Sequence, residues 1–211
     1  RANCEVSELL LSTAFTLWGF DTSWLELTAV LLSLGMVVCT IAEKHWGWPL
    51  AALSSGLYFF LFWRQRLYGD ACLQVMFIGL ALWGWSLWLK GQQGIALPIS
   101  HMSSRQRWQL LCLSGMLWLL TGLTLLNFTD SDVPWWDAFP TAISLVGQYL
   151  LAQKRIENWA VWVIVNSVAS GLFAWKGLWL TALLYLVFVA LSVTGWRHWA
   201  DRKSTRLNSS H

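Results

Sequence analysis

The sequence predicts an all-α polytopic membrane protein, with seven transmembrane helices arranged as two parallel three-helix repeats joined by a linker helix. Three observations predict it. Hydrophobic residues make up 56% of the 211 positions and charged residues 12%, against about a quarter charged in an ordinary soluble domain. A soluble core could not hide 18 Trp and 10 Phe beneath so few charges, so lipid is the solvent that fits. Apolar stretches close to the roughly 20 residues that cross a bilayer recur along the chain, and the chain aligns with itself, without a gap, at an offset of 111 residues.

The elements follow in order. Residues 8–20 are apolar but only 13 long, which predicts an interfacial helix rather than a span and makes 1–22 an N-terminal segment. The first repeat, 23–90, contains apolar spans at 24–42, 46–63 and 71–89. Residues 91–133 carry the linker span at 108–128 between two polar loops. The second repeat, 134–200, contains spans at 135–152, 159–175 and 178–196. Residues 201–211 are polar and aperiodic, and read as a disordered tail or an expression-vector remnant. A basic start, an apolar core and a small-residue cleavage site do not follow one another at the N-terminus, so a signal peptide is not expected.

Aromatic residues cluster at the ends of these spans. Trp46 with Trp48, Trp63 with Tyr68, Trp135 with Trp136, and Trp196 with Trp199 read as interfacial belts. Charge sets the orientation. With seven spans, one side of the membrane receives Lys44, Lys90, Arg105, Arg107, Lys154, Arg155, Arg197, Arg202, Lys203 and Arg206, and the other only Arg1, Arg64, Arg66 and Lys176. Ten against four of the 14 basic residues places the C-terminus in the cytoplasm and the loop around Asp130, Asp132 and Asp137 outside. The net charge of +3 is spread between apolar runs, which argues against nucleic-acid binding.

The repeat rests on residues that chance rarely aligns. At the 111-residue offset Lys44 falls on Arg155, Trp48 on Trp159, Phe62 on Phe173 and Phe77 on Phe188. Gly84, Trp85 and Trp88 fall on Gly195, Trp196 and Trp199. Each repeat holds three spans, an odd number, so the unpaired span at 108–128 restores the direction and leaves the halves parallel about an axis along the membrane normal. In such folds the substrate sits near mid-membrane between the halves.

Chemistry for an enzyme is missing. Cys4, Cys39, Cys72 and Cys112 form no CxxC pair, and His45, His101, His198 and His211 have no ligand partner at metal spacing. With no phosphate-cradling glycine loop or nucleophile elbow either, the chain is read as a non-enzyme without metal or cofactor.

The architecture is similar to that of the SWEET sugar transporters, but the residues resemble the PnuC family. Gln148, Tyr149 and Leu150, then Lys154, then the run from Trp159 through Trp162 to Asn166, and then Lys176, Gly177, Leu178, Trp179 and Tyr185 carry the resemblance in the second half. Leu67, Tyr68, Gly69 and Asp70, with Gly84, Trp85, Ser86, Leu87 and Trp88, carry it in the first. The resemblance implies a bacterial inner-membrane transporter that imports nicotinamide riboside by facilitated diffusion, drawn inward by a cytoplasmic kinase that traps the vitamin. Relatives carry thiamine or riboflavin; a sugar carrier on the same fold, or a non-transport membrane receptor, is the alternative. A homo-oligomer is expected.

Uncharged polar groups inside spans mark the candidate site, because an unpartnered buried amide costs about 1 to 3 kcal/mol. Gln148 and Asn166 lie deep, Gln74 lies about one turn into its span, and Trp162 precedes Asn166 by four residues, on the same helix face. An amide beside an indole suits a pyridine carboxamide, whose cationic ring gains from an aromatic face. Trp85, Tyr185 and Trp196 are further aromatic candidates. The bland alternative for each is packing, and for Asp70 the capping of a helix. Glu43 and Asp70 lie near span ends and no carboxylate lies deep in a span, which argues against proton coupling.

Overall fold

The computed structural model describes residues 12–17, 20–64, 68–91, 95–129, 133–175 and 179–208. They contain an antiparallel hairpin, β1 (Thr13–Leu17) and β2 (Phe20–Ser23). Seven helices follow: α1 (Trp24–Ile41), α2 (Gly47–Arg64), α3 (Tyr68–Lys90), α4 (Ser104–Phe128), α5 (Pro134–Ala152), α6 (Asn158–Trp175) and α7 (Trp179–Asn208). Each expected span coincides with one helix. The chain divides into two compact units, Arg1–Ser86 and Leu87–His211.

Four helices carry stretches long and apolar enough to cross a membrane on their own: Ala71–Lys90, Ser104–Phe128, Asn158–Trp175 and Thr181–Lys203. Leu27–Ile41 in α1 is apolar but shorter. Composition explains the shortfall of α2 and α5. Pro49, Ser54 and Ser55 dilute the first, and Asp137, Pro140, Thr141 and Gln148 the second.

Two expectations are corrected. Where residues 8–20 read as an interfacial helix, 13–17 and 20–23 pair as strands, and 1–11 lie outside the described residues. Thr13, Thr16 and Thr22 with Phe15 and Phe20 explain this, since β-branched and aromatic side chains favour extended backbone. The polar stretch read as a disordered tail from 201 onward is helical to Asn208, and 209–211 lie outside the described residues. Between Trp196 and Asn208 there is neither Gly nor Pro, so an established helix simply propagates.

In the first unit α1 packs on α2. Ser33 Oγ and Ser54 Oγ lie 2.8 Å apart, and the Ser54 hydroxyl donates to the Ala29 carbonyl at 3.0 Å. Small residues and short hydrogen bonds are what hold helices together where lipid removes the hydrophobic drive. In the second unit α5 packs between α4 and α6, and α6 between α5 and α7. Helix α4 starts in a capping box, with Ser103 and Gln106 satisfying each other's backbone amides. It is otherwise exposed, with Gly122 buried against the ring of Trp135.

The same local geometry recurs at the 111-residue offset. Glu43 and Lys154 both take left-handed backbone, at φ 55° and 50°. The Glu43 amide donates to Thr40 O and the Lys154 amide to Leu151 O, each at 3.0 Å. Lys44 N reaches Cys39 O at 2.8 Å, and Arg155 N reaches Leu150 O at 3.0 Å. These two bonds end each helix in a Schellman motif, whose left-handed position usually falls to glycine. Next in line, Trp48 and Trp159 each fill the space over a glycine of a later helix, Gly84 and Gly195 respectively. Trp48 and Trp199, read from the sequence as belt residues, are therefore core: they are 3% and 0% exposed, against 61% for Trp46. An indole placed against a neighbouring helix is withdrawn from the interface whatever its distance from the helix end.

Candidate functional site

Helices α5 and α6, which pack on each other, carry three of the predicted residues. Gln148 is 3% exposed and Asn166 7%. Neither amide hydrogen-bonds to another described residue. The indole of Trp162 lies over Gly147, where an added Cβ would sit 3.1 Å from Trp162 Cε2. Gly147 precedes Gln148, so the absence of one side chain lets an α6 indole close onto α5 next to its buried amide. Asn166 follows Trp162 by one helical turn. One helix pair thus carries an indole and two amides that have no hydrogen-bond partner among the described residues.

The repeat sharpens this assignment. The first-half counterparts of Gln148, Trp162 and Asn166 are Val37, Ala51 and Ser55. Structural positions, the left-handed turn residue and the Gly–Trp contact, keep their geometry in both halves, whereas the amide and indole occur in the second half alone.

The other candidates divide. Gln74 and Trp85 lie on α3 eleven residues apart, about three turns along one face. The Trp85 indole N–H is buried without a hydrogen-bond partner among the described residues. Their counterparts at the same offset are Tyr185 and Trp196. Tyr185 stacks on Phe173, with ring centroids 5.2 Å apart, and meets Phe188 edge-on at 6.1 Å, so its ring is engaged in packing. Trp196 is 43% exposed on α7. Gln148, Trp162 and Asn166 thus share one packed helix pair, whereas Tyr185 and Trp196 lie on α7. Asp70 falls in the first turn of α3.

The α5–α6 turn holds a second cluster. Lys154 is 5% exposed, and its ammonium sits 4.5 Å from the centroid of the Trp88 ring. The Trp88 indole donates to Ala152 O at 3.2 Å, and Trp199 packs against both Trp88 and Trp159. Sequence reading counted Lys154 among the basic residues on the C-terminal side of the membrane. Its burial could not be read from composition, since it depends on Trp88 arriving from another helix to supply a cation–π partner. Beside it Glu157 Oε1 accepts from Met102 N and from Arg107 Nη2, each at 2.9 Å, with His101 Nδ1 at 3.5 Å. Burial opposes ionisation of this carboxyl. The hydrogen bonds from the Met102 amide, its own amide and Arg107, together with the charge of His101, outweigh burial and hold it below its ordinary value of 4.5.

Residues 23–201 match the protein family described as Nicotinamide mononucleotide transporter. The nicotinamide riboside transporter PnuC of Escherichia coli is 23% identical over 96% of this chain and 95% of its own length. The riboflavin/roseoflavin transporter RibM of Streptomyces davaonensis is 26% identical over 90% of this chain and 91% of its own. Among solved structures, the crystal structure of the vitamin B3 transporter PnuC superposes with a TM-score of 0.68 at 23% identity, covering 84% of this chain and 81% of that one.

Proposed function

Because this chain belongs to the nicotinamide mononucleotide transporter family, a family of multi-pass membrane transporters, we propose that it imports nicotinamide riboside across the bacterial inner membrane by facilitated diffusion. The observation that carries the reading is the pair of buried amides, Gln148 and Asn166, with no hydrogen-bond partner among the described residues, on the helix pair that also carries Trp162. An amide can donate to and accept from the carboxamide of nicotinamide at once. The indole faces offer the cationic ring an attraction worth about 2 kcal/mol when desolvated.

The same residues favour the riboside over the mononucleotide. Neither α5 nor α6 contains a Lys or Arg, so a phosphate carried to this depth would meet no cation and would bear its full desolvation cost. Alternating access, by rearrangement of the helices around the ligand, belongs to the same proposal. With no deep carboxylate to couple a proton, net inward flux depends on a cytoplasmic kinase that phosphorylates the riboside after release. Membership of a transporter family supports a carrier rather than an enzyme, and self-association in the membrane belongs to the same reading.

Isothermal titration of the detergent-purified protein tests this. Saturable binding of nicotinamide riboside, with no response to nicotinamide mononucleotide, thiamine or glucose, is the expected outcome. Riboflavin is the instructive competitor, because the 26% identity to a riboflavin transporter spans nearly the whole chain. Binding of riboflavin alone would keep the fold and replace the ligand.

A further inference from the structure

A cavity of about 290 Å³ opens on the α4–α5 face of the second unit, away from Trp162 and Asn166. Met102, Gln106 and Gln109 line it from the start of α4 and the loop before it; Tyr149, Gln153 and Arg155 line it from the end of α5 and its turn. Leu110, Leu113 and Leu150 form its apolar part. Its volume is at the lower end of the about 300–1,000 Å³ found for small-molecule sites, the size of a headgroup rather than of a whole amphiphile.

Three features define what fits. Arg155 is half-buried and spends Nη1 on the His101 carbonyl at 2.9 Å. Glu157, the nearby acid, is occupied by Arg107, and among the described residues no carboxylate pairs with Arg155. The cavity thus holds a cation with no carboxylate partner among the described residues. The depth is interfacial: Trp108, in the first turns of α4, is 70% exposed, as an anchor at the headgroup level would be. The lining is graded, since Gln106 and Gln109 precede Leu110 and Leu113 along α4, so polarity falls from helix start toward helix middle. Leu113 and its neighbours on α4 are exposed and line a path for an acyl chain.

From these we infer that the cavity is a binding site for an anionic phospholipid. The phosphodiester is held by Arg155 and the glutamine amides at the mouth, and an acyl chain runs down the leucine face of α4. Basic pockets at the interfacial ends of membrane helices bind such headgroups through charge and hydrogen bonding together. Because α4 is the linker helix and contacts α5 along one side only, a lipid wedged at their junction would fix the turn that carries Lys154 and Arg155.

Native mass spectrometry of the full chain, exchanged into detergent with equimolar phosphatidylglycerol and phosphatidylcholine, reads lipid retention and oligomeric state together. The expected result is selective retention of phosphatidylglycerol. Arg155→Met should lower it about fivefold, the scale expected for one interfacial basic residue. Leu113→Trp, at an exposed position that leaves Arg155 untouched, should displace the lipid by filling the apolar part, while Arg105→Met, outside the lining, should retain it. Equal retention of both lipids, undiminished phosphatidylglycerol in both Arg155→Met and Leu113→Trp, displacement by inorganic phosphate alone, or a change in subunit number without a change in lipid would each overturn the assignment.

Discussion

The ring of Trp159 occupies the place where Gly195 has no side chain, and an added Cβ there would come within 2.6 Å of Trp159 Cη2. Trp48 and Gly84 stand in the same relation one repeat earlier. A glycine in a membrane helix costs helical stability of about 1 kcal/mol relative to alanine, so its presence at both positions records what the indole needs.

Gly195→Ala should therefore destabilise the protein by about 1 to 3 kcal/mol, the range for forcing atoms into a packed core. Gly171→Ala, with nothing within 4 Å of the added methyl, should be neutral or stabilising. Thermal melting in detergent separates them; equal melting temperatures for the two variants would show that the indole simply moves aside.

Asn166→Leu and Gln148→Leu should weaken nicotinamide riboside binding about fivefold each, the value of a hydrogen bond worth about 1 kcal/mol. Both should leave the melting temperature unchanged or higher, because each removes a buried amide with no partner among the described residues. Calorimetry and melting on the same samples decide the matter. A lower melting temperature with unaltered affinity would make these amides structural.

The Glu157 carboxyl is held below its ordinary value of 4.5. A carboxyl whose folded pKa is depressed contributes stability that is fully present above the unfolded value and is lost as pH falls through the folded one. The melting temperature of the wild type should accordingly exceed that of Glu157→Gln at neutral pH and converge on it below pH 4.5. A gap that persists unchanged in acid would mean that the bonds from Met102 and Arg107 do not depend on the carboxylate charge.

Ten of the 14 Lys and Arg residues fall on the side of the C-terminus when the seven helices are threaded through a bilayer. The positive-inside bias predicts a cytoplasmic C-terminus. A C-terminal alkaline phosphatase fusion should be inactive and a green fluorescent protein fusion bright; the reverse pattern would invert the topology.

Sequence alone determined the seven helices, because each is an apolar run of near bilayer length bounded by Gly, Pro or charge, and hydrophobicity is a property of the chain before it folds. It also indicated the burial of Gln148 and Asn166, which follows from position along a span. The hairpin at 13–23 and the helical continuation to Asn208 were not legible, since pairing and propagation depend on neighbours rather than on composition. Tertiary structure alone decided which tryptophans are anchors and which are core. Trp46 and Trp48 have the same chemistry two residues apart, and only the bare Cα of Gly84 on another helix takes Trp48 out of the membrane interface. Lys154 is buried for the same reason: a charge can leave water only where a distant residue, here the ring of Trp88, is brought to meet it.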